Sequence, residues 1–187
     1  MQTDWALYDA QGVRKYLTAE EGQRFIASAA GMCPRIHAFC LLLAYTGCRI
    51  SEALALTRNH LDAETGRVRF RTLKRRKLVF RHVPVPPALI ATLLQLPCAG
   101  EDARLWSWSR QTAYEKVKLT MRRAGIEGIH ACPKGLRHRF AILAASRGVP
   151  EPLIQRWMGH ARPQTTAIYA QAVGREEQAY AERLWAV

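Results

Sequence analysis

From Ile36 to Tyr45 nearly every residue is apolar, and the run is fenced by Gly31 and Pro34 on one side and by Gly47 on the other. A helix that is apolar on every side has no face to give to water, so this segment must lie inside a domain with other elements packed around it. Its uninterrupted stretch, Ala38 to Tyr45, is far short of the roughly 20 residues that cross a bilayer, so no transmembrane helix is expected. With 187 residues, 49% of them hydrophobic, the chain can surround such a helix with one sizeable core, which excludes disorder as its main state. Asp4, Asp9, Glu20 and Glu21 interrupt the first thirty residues, which argues against a secretory signal and for a cytoplasmic protein.

Other elements follow from local chemistry. Residues 1–17 show no clear period and read as an arm or leader. Thr18-Ala19-Glu20-Glu21 is a capping box that opens a helix, because the threonine and the glutamate satisfy each other's orphan amides. A short helix is expected over Ile50–Leu56. From Arg67 the period changes to two, Val68, Phe70 and Thr72 alternating with arginines, and Leu78–Val85 is again strand-like; together they predict a β-hairpin. Helical spacing returns over Ala88–Leu96, Ser109–Ala124, Lys134–Arg147, Pro150–Met158 and Pro163–Val173, with Gly148, Gly159 and Gly174 placed to end the last three. Leu105–Trp108 is ambiguous, and Arg175–Val187 reads as a terminal helix. The expected fold is mostly α with one small antiparallel sheet.

The chain carries 28 Lys+Arg against 15 Asp+Glu, a formal charge of +13, which points to a polyanionic partner, nucleic acid before an anionic membrane surface. No acid occurs between Glu64 and Glu101, while Arg67, Arg69, Arg71, Lys74, Arg75, Arg76, Lys77 and Arg81 crowd the hairpin. Such a hairpin is either a solvated charged turn or a finger that tracks phosphates. The second is favoured, because self-repulsion costs stability unless a polyanion relieves it. Five cysteines without a C-x-x-C pair fit neither a disulfide framework nor a zinc site and are expected as small buried hydrophobes. The acids form no cluster suited to a metal, and G-x-x-x-x-G-K-[ST] and G-x-S-x-G are absent. No cofactor is expected.

Four local motifs occur in one order: Thr46-Gly47-Cys48-Arg49-Ile50-Ser51-Glu52, Pro133-Lys134-Gly135-Leu136-Arg137-His138-Arg139-Phe140, Trp157-Met158-Gly159-His160, and Thr165-Thr166-Ala167-Ile168-Tyr169. In this order, on a basic helical chain with a basic hairpin between the first two, they resemble the catalytic domain of the tyrosine recombinases, the phage-integrase family. The resemblance runs from Lys15 to Tyr169, and His160 and Tyr169 stand the family's nine residues apart. It implies the fold of the DNA breaking-rejoining enzymes over residues 18–174, followed by a helical tail, 175–187.

The chemistry that the resemblance implies is metal-free cleavage of a phosphodiester. Tyr169 is the nucleophile, forming a 3′-phosphotyrosine that conserves the bond for religation without ATP. Arg49 and Arg137 clamp the nonbridging oxygens, since a guanidinium makes two parallel charge-assisted bonds and stays charged at any working pH. His160 donates a hydrogen bond to the phosphate. A hairpin lysine, Lys74 or alternatively Lys77, protonates the leaving oxygen. Lys134 stands where the family more often has histidine and takes a phosphate-binding role, with the general base left open. Glu52 orients Arg49, and His138 supports the site. Arg69, Arg71, Arg75, Arg76, Lys77 and Arg81 are the expected DNA contacts.

Family members usually carry an N-terminal domain that closes around the DNA, and no such segment precedes Thr18. The chain is therefore either a fragment or similar to the short single-domain members that invert fimbrial promoter segments. Double-stranded DNA in the nucleoid, a homotetramer on paired sites, and a tail contact through Tyr180, Leu184 and Trp185 to a neighbouring protomer are the implied partners. Two other readings stay open: a noncatalytic DNA-binding module, and a relaxing topoisomerase of the same chemistry.

Overall fold

The computed structural model describes residues 6–71 and 79–160. Helix α1 (Ala19–Ala30) starts at the expected capping box: Glu21 N–H donates to Thr18 Oγ1 at 3.2 Å, and Thr18 N–H donates to Glu21 Oε2 at 2.9 Å. Helix α2 (Pro34–Thr46) is the central element. Phe39, Leu42 and Leu43 are buried in it, and α1, α3, α4, α5 and α6 all pack against it. Proline opens α2, where its missing N–H costs nothing, and Gly47 closes it in the left-handed region at φ 58°. Tyr45, near the end of the apolar run, is exposed.

Helix α3 (Ile50–Leu54) follows at once. The sheet is antiparallel with order β1-β2-β3, from β1 (Leu61–Asp62), β2 (Arg67–Arg71) and β3 (Phe80–Pro84). The β2–β3 register pairs Val68 with Val83 and Phe70 with Arg81. The expected hairpin is therefore present. β1 is an addition, since a two-residue strand carries no readable alternation. The turn 72–78 lies outside the described residues, as do residues 1–5 and 161–187, which hold the expected Pro163–Val173 helix and the tail.

Four further helices follow among the described residues: α4 (Pro87–Leu94), α5 (Arg110–Arg123), α6 (Pro133–Ser146) and α7 (Glu151–Met158). The ambiguous Leu105–Trp108 stretch is irregular, yet it is core. Trp106 is fully buried, donates from Nε1 to Arg35 O at 2.9 Å and meets Phe39 edge-on with ring centroids 5.0 Å apart.

Two expectations need correction. Residues 6–17, read as an arm, pack against the domain: Leu7 and Tyr16 are buried with Ala141, Ile142, Ile154 and Met158 in a second apolar cluster behind α6 and α7. Tyr8 bridges to Arg14, so the segment doubles back on itself too briefly to show a period. Of the five cysteines, only Cys40 and Cys48 are buried. The others sit at helix entrances and in a loop, where a thiol meets water.

Candidate active site

The left-handed turn at Gly47 does two things. A Cβ there would come within 2.7 Å of the Phe140 ring, so only glycine lets α6 approach so closely. The turn also delivers Arg49 to the N-cap of α3, three residues ahead of Glu52. Arg49 N–H donates to Glu52 Oε2 at 2.8 Å, and its Nη1 donates to Oε1 at 3.0 Å. Glu52 therefore holds both the backbone and the side chain of Arg49.

The same carboxylate takes a second arginine. Arg81 Nη1 donates to Glu52 Oε1 at 3.1 Å and Nη2 to Oε2 at 2.7 Å. Burial works to raise the Glu52 pKa, but the charge and hydrogen bonds of Arg81, then those of Arg49, hold it below the usual carboxylate range.

Arg137 lies on α6 and is buried. Its Nη1 donates to Gly47 O at 2.5 Å and its Nη2 to Met158 O at 2.6 Å. Those carbonyls close α2 and α7, where each helix presents its partial negative charge. One cation thus joins two helix ends and fixes its own orientation. Gly159, left-handed at φ 62°, turns the chain off α7 and places His160 next. His160 is buried, and its pKa is pushed down to about 3 by that burial and then by the charges of Arg137, Arg49, His138 and Arg81. It is neutral at neutral pH.

Arg49, Lys134 and Arg137 line one open cleft of about 430 Å³, together with Ser51, Arg110 and Tyr114. Among the described residues the lining holds four cations and no carboxylate. Such a cavity is a receptacle for an anion, and His160 stands within the field of two of its arginines.

The remaining predicted residues are placed as follows. Lys74, Arg75, Arg76, Lys77 and Tyr169 lie outside the described residues. Arg69 is half-buried, donates to Asn59 O at 2.8 Å and stacks over the Phe80 ring. Arg71 lines a second cleft of about 530 Å³ with His60, Arg104 and Arg110, which meets the first at Ser51 and Arg110. His138 is fully enclosed. Arg81 departs from its expected place at the DNA surface: its side chain is 4% exposed and bonded to Glu52, and unlike Arg137 it lines neither cleft. The sequence held the signal for this, since Arg81 shares the inward parity of Val83 and Val85. Arg110 and Tyr114 were not singled out, although their four-residue spacing on a predicted helix puts them on one face.

Comparison with known proteins gives a consistent result. The profile of the phage integrase family matches residues 15–175. Tyrosine recombinase XerA of Pyrococcus furiosus is 29% identical over 177 residues, covering 90% of this chain and 61% of that protein. Tyrosine recombinase XerD of Mycobacterium tuberculosis is 32% identical over 174 residues, covering 83% and 56%. Among solved structures, XerA recombinase superposes with a TM-score of 0.77 at 25% identity, over 90% of this chain and 64% of that one. The catalytic domain of bacteriophage HP1 integrase does so at 0.65 and 24%, over 83% and 86%, a likeness of fold. The chain thus spans about three fifths of the length of the curated relatives it matches.

Proposed function

The chain belongs to the phage integrase family, and from that premise we propose that it is a site-specific DNA recombinase acting through a covalent 3′-phosphotyrosine. The observation that carries this reading is the acid-free cleft that gathers Arg49, Lys134 and Arg137 from α3 and α6, with His160 in their field.

In this reading one phosphate of the DNA enters the cleft. Arg49 and Arg137 bind its nonbridging oxygens and stabilise the charge that grows there in the transition state. Lys134 adds a further cation, and neutral His160 donates a hydrogen bond. The Tyr169 hydroxyl releases its proton to solvent water and forms the new phosphorus–oxygen bond as the bond to the 5′ oxygen breaks. Lys74 or Lys77 supplies the proton that the leaving oxygen takes up. Reversal on a new 5′ end completes strand exchange, which on two paired sites calls for four protomers, with residues 175–187 reaching a neighbour. Double-stranded DNA is the substrate, and the nucleoid is where the protein would work.

The test uses a nicked duplex, selected by binding from a randomised library, incubated with the full chain in EDTA. A covalent adduct that disappears in Tyr169→Phe supports the recombinase. Tight, salt-sensitive binding without adduct would indicate a noncatalytic module. Relaxation of supercoiled DNA without junction products would indicate a topoisomerase.

A further inference from the structure

Arg81 is a buried cation on a β-strand, behind the cleft lining and joined to Arg49 through the Glu52 carboxylate, and the chemistry above gives it no task. Its contacts are unusually complete. Nη1 and Nη2 grip the Glu52 carboxylate, Nε donates to Trp157 O at 2.7 Å, and the guanidinium carbon lies 4.9 Å from the centre of the Phe70 ring. A Cβ on Gly159 would sit 3.2 Å from that same carbon. One planar group therefore touches β2, the start of α3 and the corner between α7 and His160.

A buried ion pair of this kind is a poor device for stability alone, because desolvating both charges consumes most of what their attraction returns. Its distinguishing feature is that the carboxylate is shared. Glu52 carries one negative charge and faces two guanidinium groups, Arg81 and Arg49. With Arg81 in place, Arg49 Nη1 donates one side-chain bond to Glu52 Oε1, and Arg49 still lines the cleft. Without Arg81, an unbalanced buried carboxylate would draw Arg49 into a two-pronged pair and neutralise it.

We propose that Arg81 is a positioning residue of the phosphate cleft: by occupying Glu52 and holding the Trp157–Gly159 corner, it keeps Arg49 turned outward and His160 in register with it. This rests on the reading that the cleft binds phosphate. It also ties the strand pair whose turn carries Lys74 and Lys77 to the arginine that would hold the scissile group, so that the elements supplying acid and clamp share one frame.

The test compares wild type, Arg81→Met, Arg81→Lys and the double variant Arg81→Met/Glu52→Gln in the full chain, each below its melting temperature. Inorganic phosphate is titrated against the His160 ring signals by NMR, and adduct formation on the nicked duplex is measured per folded molecule. Arg81→Met is expected to weaken phosphate binding and slow adduct formation by about tenfold or more, and the double variant to recover most of that loss, a coupling of the size found between contacting groups in one network. A merely structural arginine predicts a loss of stability that the double variant relieves, with phosphate binding and adduct formation per folded molecule unchanged from wild type in both variants. Either that result, or normal phosphate binding in Arg81→Met, overturns the proposal. If Arg81→Met does not fold, Arg81→Lys decides: wild-type phosphate affinity in it, once the fork is lost but the charge is kept, also overturns the proposal. A wild type that binds phosphate yet forms no adduct removes the recombinase reading and leaves Arg81 to the phosphate titration. A wild type that binds no phosphate removes both.

Discussion

At the scale of single residues, the cleft derives its character from cations held by backbone carbonyls and one buried carboxylate. Arg137 has both terminal nitrogens engaged on Gly47 O and Met158 O, so its orientation is set before any ligand arrives. Arg137→Ala should slow adduct formation by at least about 10²-fold, the scale of losing one preorganised donor to a developing charge, as single-turnover rates would register. Truncating Glu52 to alanine leaves the buried Arg81 guanidinium without its carboxylate and should cost about 3–5 kcal/mol in a denaturant titration. His160, held at about 3 by burial and its cationic neighbours, binds its proton less tightly when folded than the roughly 6.5 of an unfolded histidine. Between those values the unfolded chain holds more protons, so its contribution is complete above about pH 6.5 and is lost as the pH falls toward 3. Glu21, whose burial is outweighed by hydrogen bonds from Arg14 and the Thr18 N–H, lies at about 2, and its share is lost only below the ordinary carboxylate range. Melting temperatures of wild type and His160→Gln from pH 7 to 4 should diverge accordingly, the wild type showing the steeper decline.

At the scale of elements, the ends of helices matter more than their middles. Gly159→Ala forces a side chain into a left-handed position and against Arg81. It should destabilise by about 1–2 kcal/mol and slow cleavage beyond what the lost folded fraction explains. Leu7→Ala should cost about 2–5 kcal/mol, the range for a buried leucine, since Leu7 packs in the cluster behind α6 and α7; a thermal melt measures it. The sequence makes helix starts and stops legible where a side chain performs the function locally, as Thr18 and Glu21 do for α1 and glycine does after α2 and α7. The hairpin is legible because alternation sets which residues face inward. What escapes is structure made by distant partners. Residues 6–17 are held by α6 and α7, by Glu21 of α1 and by the main core around Leu17, Trp106 is core because Phe39 and Arg35 O are there to meet it, and β1 exists only as an appendage of β2. The motifs carry Arg49, Lys134 and Arg137, which the fold gathers along one cleft, while the charge of Arg81 masks a parity on β3 that turns it inward.

At the scale of the molecule, a formal charge of +13 supplies affinity without sequence information. If Arg75 and Arg76 touch only phosphates, each alanine replacement should lower the slope of log affinity against log salt by about 0.9, whatever the duplex sequence, in fluorescence titrations from low to high salt. The cleft, by contrast, depends on long-range closure. Arg137 needs carbonyls at residues 47 and 158, and the pair of Glu52 with Arg81 needs Trp157 to complete it. A ribosome that has delivered only the first three quarters of the polypeptide has therefore made most of the positive surface and none of the finished receptacle. Under the proposed reading a nascent chain could hold a polyanion before it could act on one, because the receptacle is withheld until translation has passed the last of these tethers.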